Sequence, residues 1–208
     1  MEDLAERFYF GVRGAPKDDA QAAVWLRRSA AGNVAAAQSN LAVMHRDGLG
    51  GLEKSDAEAV ALFRAAAGAG LADGRFSLGI CFKIGRGVPQ DRAEAVRLWL
   101  QAADKGLADA EANLADAYVH GEGVAQDYAA ALRFARRAAD KGNAVGEANL
   151  GVLYANGWGV PRDVREAIKW YAKAAAQGTE GAIASLRAYA ADGVPEAAAA
   201  LRRLRLAP

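Results

Sequence analysis

Apolar positions along the chain fall into short blocks with helical spacing, and each block is closed by glycine. In the stretch from Asp73 to Lys83, Leu78, Cys81 and Phe82 recur at the three-and-four interval of one helical face. Gly85 follows, where a left-handed residue ends a helix without a Cβ penalty, and Gly11, Gly48, Gly121, Gly157 and Gly193 take the equivalent place. A loop of the form G-x-G-V-P-x-D comes next, as GRGVPQD and GWGVPRD, with GEGVAQD as a variant. It ends on Asp18, Ser55, Asp91, Asp127 or Asp163. Each offers a side-chain oxygen to a free amide of the next helix, worth about 1 kcal/mol. Ser55 with Glu58 has capping-box spacing, and Asp91 with Glu94 nearly matches it. That second helix closes on A-A-x-x-G, as in Ala102, Ala103 and Gly106, or Ala138, Ala139 and Gly142, or Ala174, Ala175 and Gly178. Helix A, loop and helix B thus form one module.

The module repeats without gaps over residues 72–107, 108–143 and 144–179. Residues 35–71 form a copy with one extra residue near Gly51. Residues 1–34 form a copy lacking its opening positions, and residues 180–208 a final, capping copy with a shortened loop. Small residues hold matched places: Ala72, Ala108 and Ala144 open A helices, and Ala59, Ala95, Ala131 and Ala167 come early in B helices. Large plugs alternate with them. These are Leu41, Leu78, Leu114, Leu150 and Leu186 in the A helices, and Trp25, Phe63, Trp99, Phe134, Trp170 and Tyr171 in the B helices. One module cannot bury its apolar face alone, whereas stacked modules share a continuous core. The expected fold is all-α: one array of helix-turn-helix repeats wound as a right-handed α/α superhelix.

Residues 144–179 carry Asn149, Leu150, Gly151, Leu153, Tyr154, Gly157, Gly159, Val160, Pro161, Asp163, Ala167, Trp170, Ala174, Ala175 and Gly178. This pattern resembles the Sel-1-like repeat, a relative of the tetratricopeptide repeat, and the resemblance extends over the consecutive copies. It implies a protein-interaction scaffold. Similar proteins serve as adaptors in signalling, host contact and envelope processes, and some neutralise secreted toxins as immunity proteins. An immunity role or a periplasmic signalling role is therefore an alternative to a general adaptor. A cysteine-rich branch of the family staples each helix pair with a disulfide, and this chain lacks such pairs. The penicillin-binding or β-lactam-cleaving activity associated with that branch does not carry over. In the second repeat, His45 replaces the usual aromatic and the loop is longer.

Composition narrows the function classes. The chain has 208 residues, 53 of them alanine and 23 glycine, so its apolar content is mostly small and suits closely approaching helices. Lys and Arg number 26 against 25 Asp and Glu, giving a formal charge of +1. No basic excess or stripe points to nucleic acid. The apolar fraction of 52% argues against disorder. No run approaches a membrane span. The acidic start MEDLAERFYF does not read as a secretory signal, so the expected location is cytoplasmic, or periplasmic if a leader has been removed. Cys81 is the one cysteine, so no intramolecular disulfide is possible, and its register position reads as a buried small hydrophobe.

No residue set calls for catalysis, a cofactor or a metal. The G-x-G loops lie between helices and lack a following Lys-Ser/Thr pair, so they read as turns rather than phosphate cradles. His45 and His120 have no zinc-ligand cluster around them. The helix-B charges, such as Arg133, Arg136 and Arg137, read as solvated faces.

The expected partner is a protein or peptide. In related superhelices helix A lines the concave side, and this register would expose Ser39, Val43, Arg46 and Asp47 in the second repeat. In the third it would expose Asp73, Phe76, Ile80, Lys83 and Ile84. In the fourth and fifth the exposed set would be Asp109, Asp116, Val119, His120, Val145, Val152 and Asn156. Phe76, Ile80 and Ile84 suit either contact with a neighbouring helix or an apolar anchor for the partner, flanked by Lys83, Asp116 and His120. Exposed apolar groups of this kind mark interfaces. Trp158 stands where other repeats have Leu49, Arg86 and Glu122, so the fold does not require it, and it is a second candidate anchor. Arg46 completes the candidate set. A monomer is expected, with end-to-end association open through Leu4, Phe8, Tyr9 and Phe10.

Overall fold

The computed structural model describes Tyr9 and residues 18–206. Among these residues the secondary structure is helical, with no strand. The helices are α1 (Asp19–Ala31), α2 (Ala35–Asp47), α3 (Asp56–Gly68), α4 (Ala72–Ile84), α5 (Arg92–Ala103), α6 (Ala108–His120), α7 (Tyr128–Asp140), α8 (Ala144–Asn156), α9 (Val164–Ala176), α10 (Glu180–Ala191) and α11 (Pro195–Arg203). None exceeds 13 residues, a length at which an isolated helix is marginal in water. Packing against neighbours therefore supplies most of their stability.

The helix ends form as the local signals dictate. Asp18, Ser55, Asp91, Asp127 and Asp163 each accept the backbone amide three residues on, at 2.9–3.2 Å. Gly48, Gly85, Gly121 and Gly157 close the A helices in the left-handed conformation. The sixth repeat departs: α10 is capped by Asp192, and α11 starts at Pro195 after a very short turn. Each full loop is tied back to its own helix A, because the capping residue's amide donates to the carbonyl of His45, Phe82, Tyr118 or Tyr154 at 2.9–3.0 Å.

The second loop glycine seats the loop on the preceding B helix. Gly159 has φ +69°, and a Cβ there would stand 2.5 Å from the carbonyl oxygen of Tyr128, at the start of α7. Gly159→Ala is expected to cost about 2–3 kcal/mol, combining left-handed strain with displacement of the loop. Urea unfolding checks this, and an unchanged midpoint would show that the loop is not seated there.

Two compact units divide the chain, Met1–Lys105 and Gly106–Pro208. In the first, α2 pairs with α3 and α4 with α5, while α3 also packs on α4. In the second, the pairs are α6 with α7, α8 with α9 and α10 with α11, joined through α7 with α8 and α9 with α10.

The cores bear out most of the small-residue and plug assignments and correct the rest. Leu41, Leu78, Leu114, Leu150 and Leu186 are all buried, at 5% exposure or less. Ala72, Ala108 and Ala144 are only half-buried, and the close approach falls two positions later, at Gly74, Ala110 and Gly146. A Cβ on Gly146 would lie 2.5 Å from that of Ala138. In the B helices two registers are distinct. Leu26, Phe63, Trp99, Ala135 and Tyr171 point into the core. Trp25, Phe134 and Trp170 sit one position earlier and are half-buried. Each of these three is covered instead by a cation three residues on: Arg28 at 5.2 Å, Arg137 at 5.6 Å and Lys173 at 3.8 Å from the ring centroid. That is one turn away on the same helix face, where cation and ring attract.

The helix-B charges are also more engaged than a solvated face. Glu111 of α6 is fully buried. It accepts Lys141 Nζ at 2.7 Å, and Arg137 Nη2 lies 2.7 Å from its other oxygen as a charge contact rather than an aligned hydrogen bond. Arg136 donates to the Tyr154 hydroxyl at 2.7 Å. Of the apolar N-terminal edge, Tyr9 is partly buried and packs on the core of α1 and α2, while Leu4, Phe8 and Phe10 lie outside the described residues.

Candidate functional site

Four of the eight candidate partner residues line one cavity in the first unit. Arg46 of α2 and Phe76, Ile80 and Ile84 of α4 surround a space of about 100 Å³, together with Phe63, Ser77, Cys81 and Arg86. Helical geometry explains the grouping, since positions 76, 80 and 84 are successive turns of one face. Phe76 and Ile80 are half-buried, whereas Ile84 is 50% exposed. The equivalent of Phe76 is Ser39, Ala112 or Ala148 in other repeats, and that of Ile84 is Asp47, His120 or Asn156. The scaffold therefore does not require large apolar groups at either place.

The charges around this cavity are constrained. Arg46 binds its neighbour Asp47 through two bonds of 2.7 and 2.8 Å. That pairing holds the Asp47 carboxyl below its ordinary pKa and raises that of Arg46. Arg86 lies 3.9 Å from Asp56. Cys81 is 4% exposed, and burial pushes its thiol pKa upward, which opposes the thiolate a reactive cysteine needs.

The other four candidates go elsewhere. Lys83 is half-buried and lies 5.7 Å from the centroid of the Trp99 ring. In the second unit, Asp116 and His120 pair at 3.3 Å along α6. Trp158 stacks on Tyr128 at 5.1 Å, so one face of its ring already serves the seating of its loop. Two positions expected on the exposed face are buried, Ser39 at 8% and Val119 at 6%. Among the described residues no group of three or more His, Cys, Asp or Glu side chains is placed to hold a metal ion. None of the described helices is long and apolar enough to cross a membrane.

Within each unit, consecutive helix pairs with a shared core, their full loops closed by a capping residue, define a tetratricopeptide-like repeat protein. The Sel1 repeat model matches residues 1–34, 35–71, 72–107, 108–143 and 144–179, so the chain belongs to the Sel1 repeat family. A Sel1 repeat protein from Oxalobacter formigenes is similar at 31% identity and a TM-score of 0.85, covering 98% of this chain and 85% of that one. A protective antigen of uropathogenic Escherichia coli with an SLR fold is similar at 30% identity and a TM-score of 0.81. There the match covers 98% of this chain, which spans 44% of the antigen's length. An immunity protein from Pseudomonas aeruginosa matches over 87% of this chain and 67% of its own, at 21% identity and a TM-score of 0.61, a likeness of fold. A search of curated proteins gives no match. Sel1 repeats typically act as protein-interaction scaffolds.

Proposed function

We propose that this chain is a non-catalytic scaffold that binds a partner protein or peptide on its helix-A face, with Phe76, Ile80 and Ile84 as the apolar anchors. The observation that supports this reading is the cavity beside α4, where Phe76 and Ile84 occupy positions filled by small or polar residues in sibling repeats. Ile84 keeps half its surface in solvent, where burial by a partner gains free energy with apolar area. Arg46 and Arg86 supply a polar margin that can orient the partner.

The double variant Phe76→Ala, Ile84→Ala tests the reading. A partner captured from the native host by the wild-type chain is expected to bind the variant at least about tenfold more weakly, as loss of two central anchors does. Binding is measured by calorimetry on the purified pair, with circular dichroism to confirm that both chains are folded. Unchanged affinity in a folded variant would exclude this face.

A further inference from the structure

We infer that the first unit carries a separate binding site, a pocket among α3, α4 and α5 that takes a carboxylate-bearing segment of an acidic partner protein. Its volume is about 480 Å³, and Arg64, Arg75, Phe82, Glu94, Arg97 and Gln101 contribute to its wall. It shares no lining residue with the cavity beside Phe76, so it stands independently of the function proposed above.

The repeat register identifies what this pocket lacks. Arg75 occupies the position of Glu111 and Glu147, both buried carboxylates. Each of those is met from the end of the following B helix, Glu111 by Lys141 at 2.7 Å and Glu147 by Gln177 Nε2 at 2.8 Å. In the third repeat the carboxylate is gone and a cation stands in its place. A second exchange lies in the same pocket. Arg136 donates to the Tyr154 hydroxyl, but the matching pair here is Arg64 and Phe82. With no hydroxyl to accept, the Arg64 guanidinium lies over the Phe82 ring, 6.0 Å from its centroid.

Both exchanges remove an internal acceptor, and among the described residues neither Arg64 nor Arg75 has a hydrogen-bond acceptor or carboxylate partner. Glu94 does not compensate, because its carboxylate is turned to Arg97, at 2.7 Å through each oxygen, and bonds neither Arg64 nor Arg75. Two guanidinium groups thus line a cavity in which neither has a paired acceptor. The planar fork of arginine matches a carboxylate through two parallel bonds. A carboxylate is also the group that the fourth and fifth repeats place at this position, where the second has Gln38, so the missing acceptor is assigned to an acidic side chain of a partner.

The full chain titrated with a hexaglutamate peptide by isothermal calorimetry tests the assignment. Arg75→Glu restores the register carboxylate and is expected to weaken binding by at least about tenfold. Phe82→Tyr returns an acceptor to Arg64 and is expected to weaken it less. Arg133→Glu makes the same charge change at an exposed site of the second unit and is expected to leave affinity unchanged. Arg75→Gln serves as the milder variant if circular dichroism shows Arg75→Glu misfolded. No binding to the wild type, or equal weakening by Arg75→Glu and Arg133→Glu, would overturn the site. Inorganic phosphate competing as well as the peptide would overturn the carboxylate assignment.

Discussion

Replacing Trp99 by alanine is expected to destabilise the first unit by about 3–5 kcal/mol, the range for removing a large buried aromatic. Trp99 is 2% exposed, its indole N–H donates to the Phe76 carbonyl at 3.3 Å, and Lys83 lies near its ring. The ring fits only because its partner position is glycine: a Cβ on Gly79 would stand 2.4 Å from the indole nitrogen. The fifth repeat repeats the device with Gly151 and Tyr171, where the contact would be 2.5 Å. In the second repeat the same two positions hold Ala42 and Phe63, in one core cluster. A smaller ring thus goes with a larger partner. Gly79→Ala and Trp99→Phe should each destabilise, the first by overpacking and the second by leaving a gap. Combined, they recreate the second repeat's pair, and the loss should be clearly smaller than the sum of the singles. Urea unfolding followed by circular dichroism measures all four chains, and strict additivity would refute the size match.

Removing both cations from Glu111, in Arg137→Ala, Lys141→Ala, is expected to cost about 3–5 kcal/mol, because a fully buried carboxylate is left without a countercharge. The effect is one-sided. Lys141 and Arg137 keep 39% and 48% of their side-chain surface in solvent, so they lose little when unpaired, whereas Glu111 has none. Adding Glu111→Gln to the double variant should therefore recover much of the loss by removing the stranded charge. Lys141 also donates to the Gly106 carbonyl at 2.8 Å, so part of the cost is a lost closure between the start of α6 and the end of α7. Thermal and urea unfolding of the double and triple variants decide the matter. If the triple variant is no more stable than the double, the charge on Glu111 is not the cause.

The modular architecture was legible because its determinants are local. An Asp163 side chain reaches an amide three residues away, and Gly157 turns the chain at its own φ. Such contacts are specified by neighbours in the chain, so recurrence alone reveals caps, stops and repeat boundaries. The candidate site was legible in part. Phe76 and Ile84 stand out as large groups at positions where siblings are small or polar, and successive helical turns bring them together with Ile80. Periodicity could not separate Trp25, Phe134 and Trp170 from the core register one residue later, since one step along a helix turns a side chain only about 100°. Nor could it show that Trp158 already rests on Tyr128.

Helix content, caps and the stacking repeat follow from residues a few positions apart, and these the chain states outright. Which glycine makes room for which ring, and which carboxylate lies buried, depends on contacts between helices. Trp99 meets the Phe76 carbonyl across 23 residues and Lys141 meets Glu111 across 30. At those separations the fit depends on how close two helices come, and that distance follows from the packed volumes of every side chain between them.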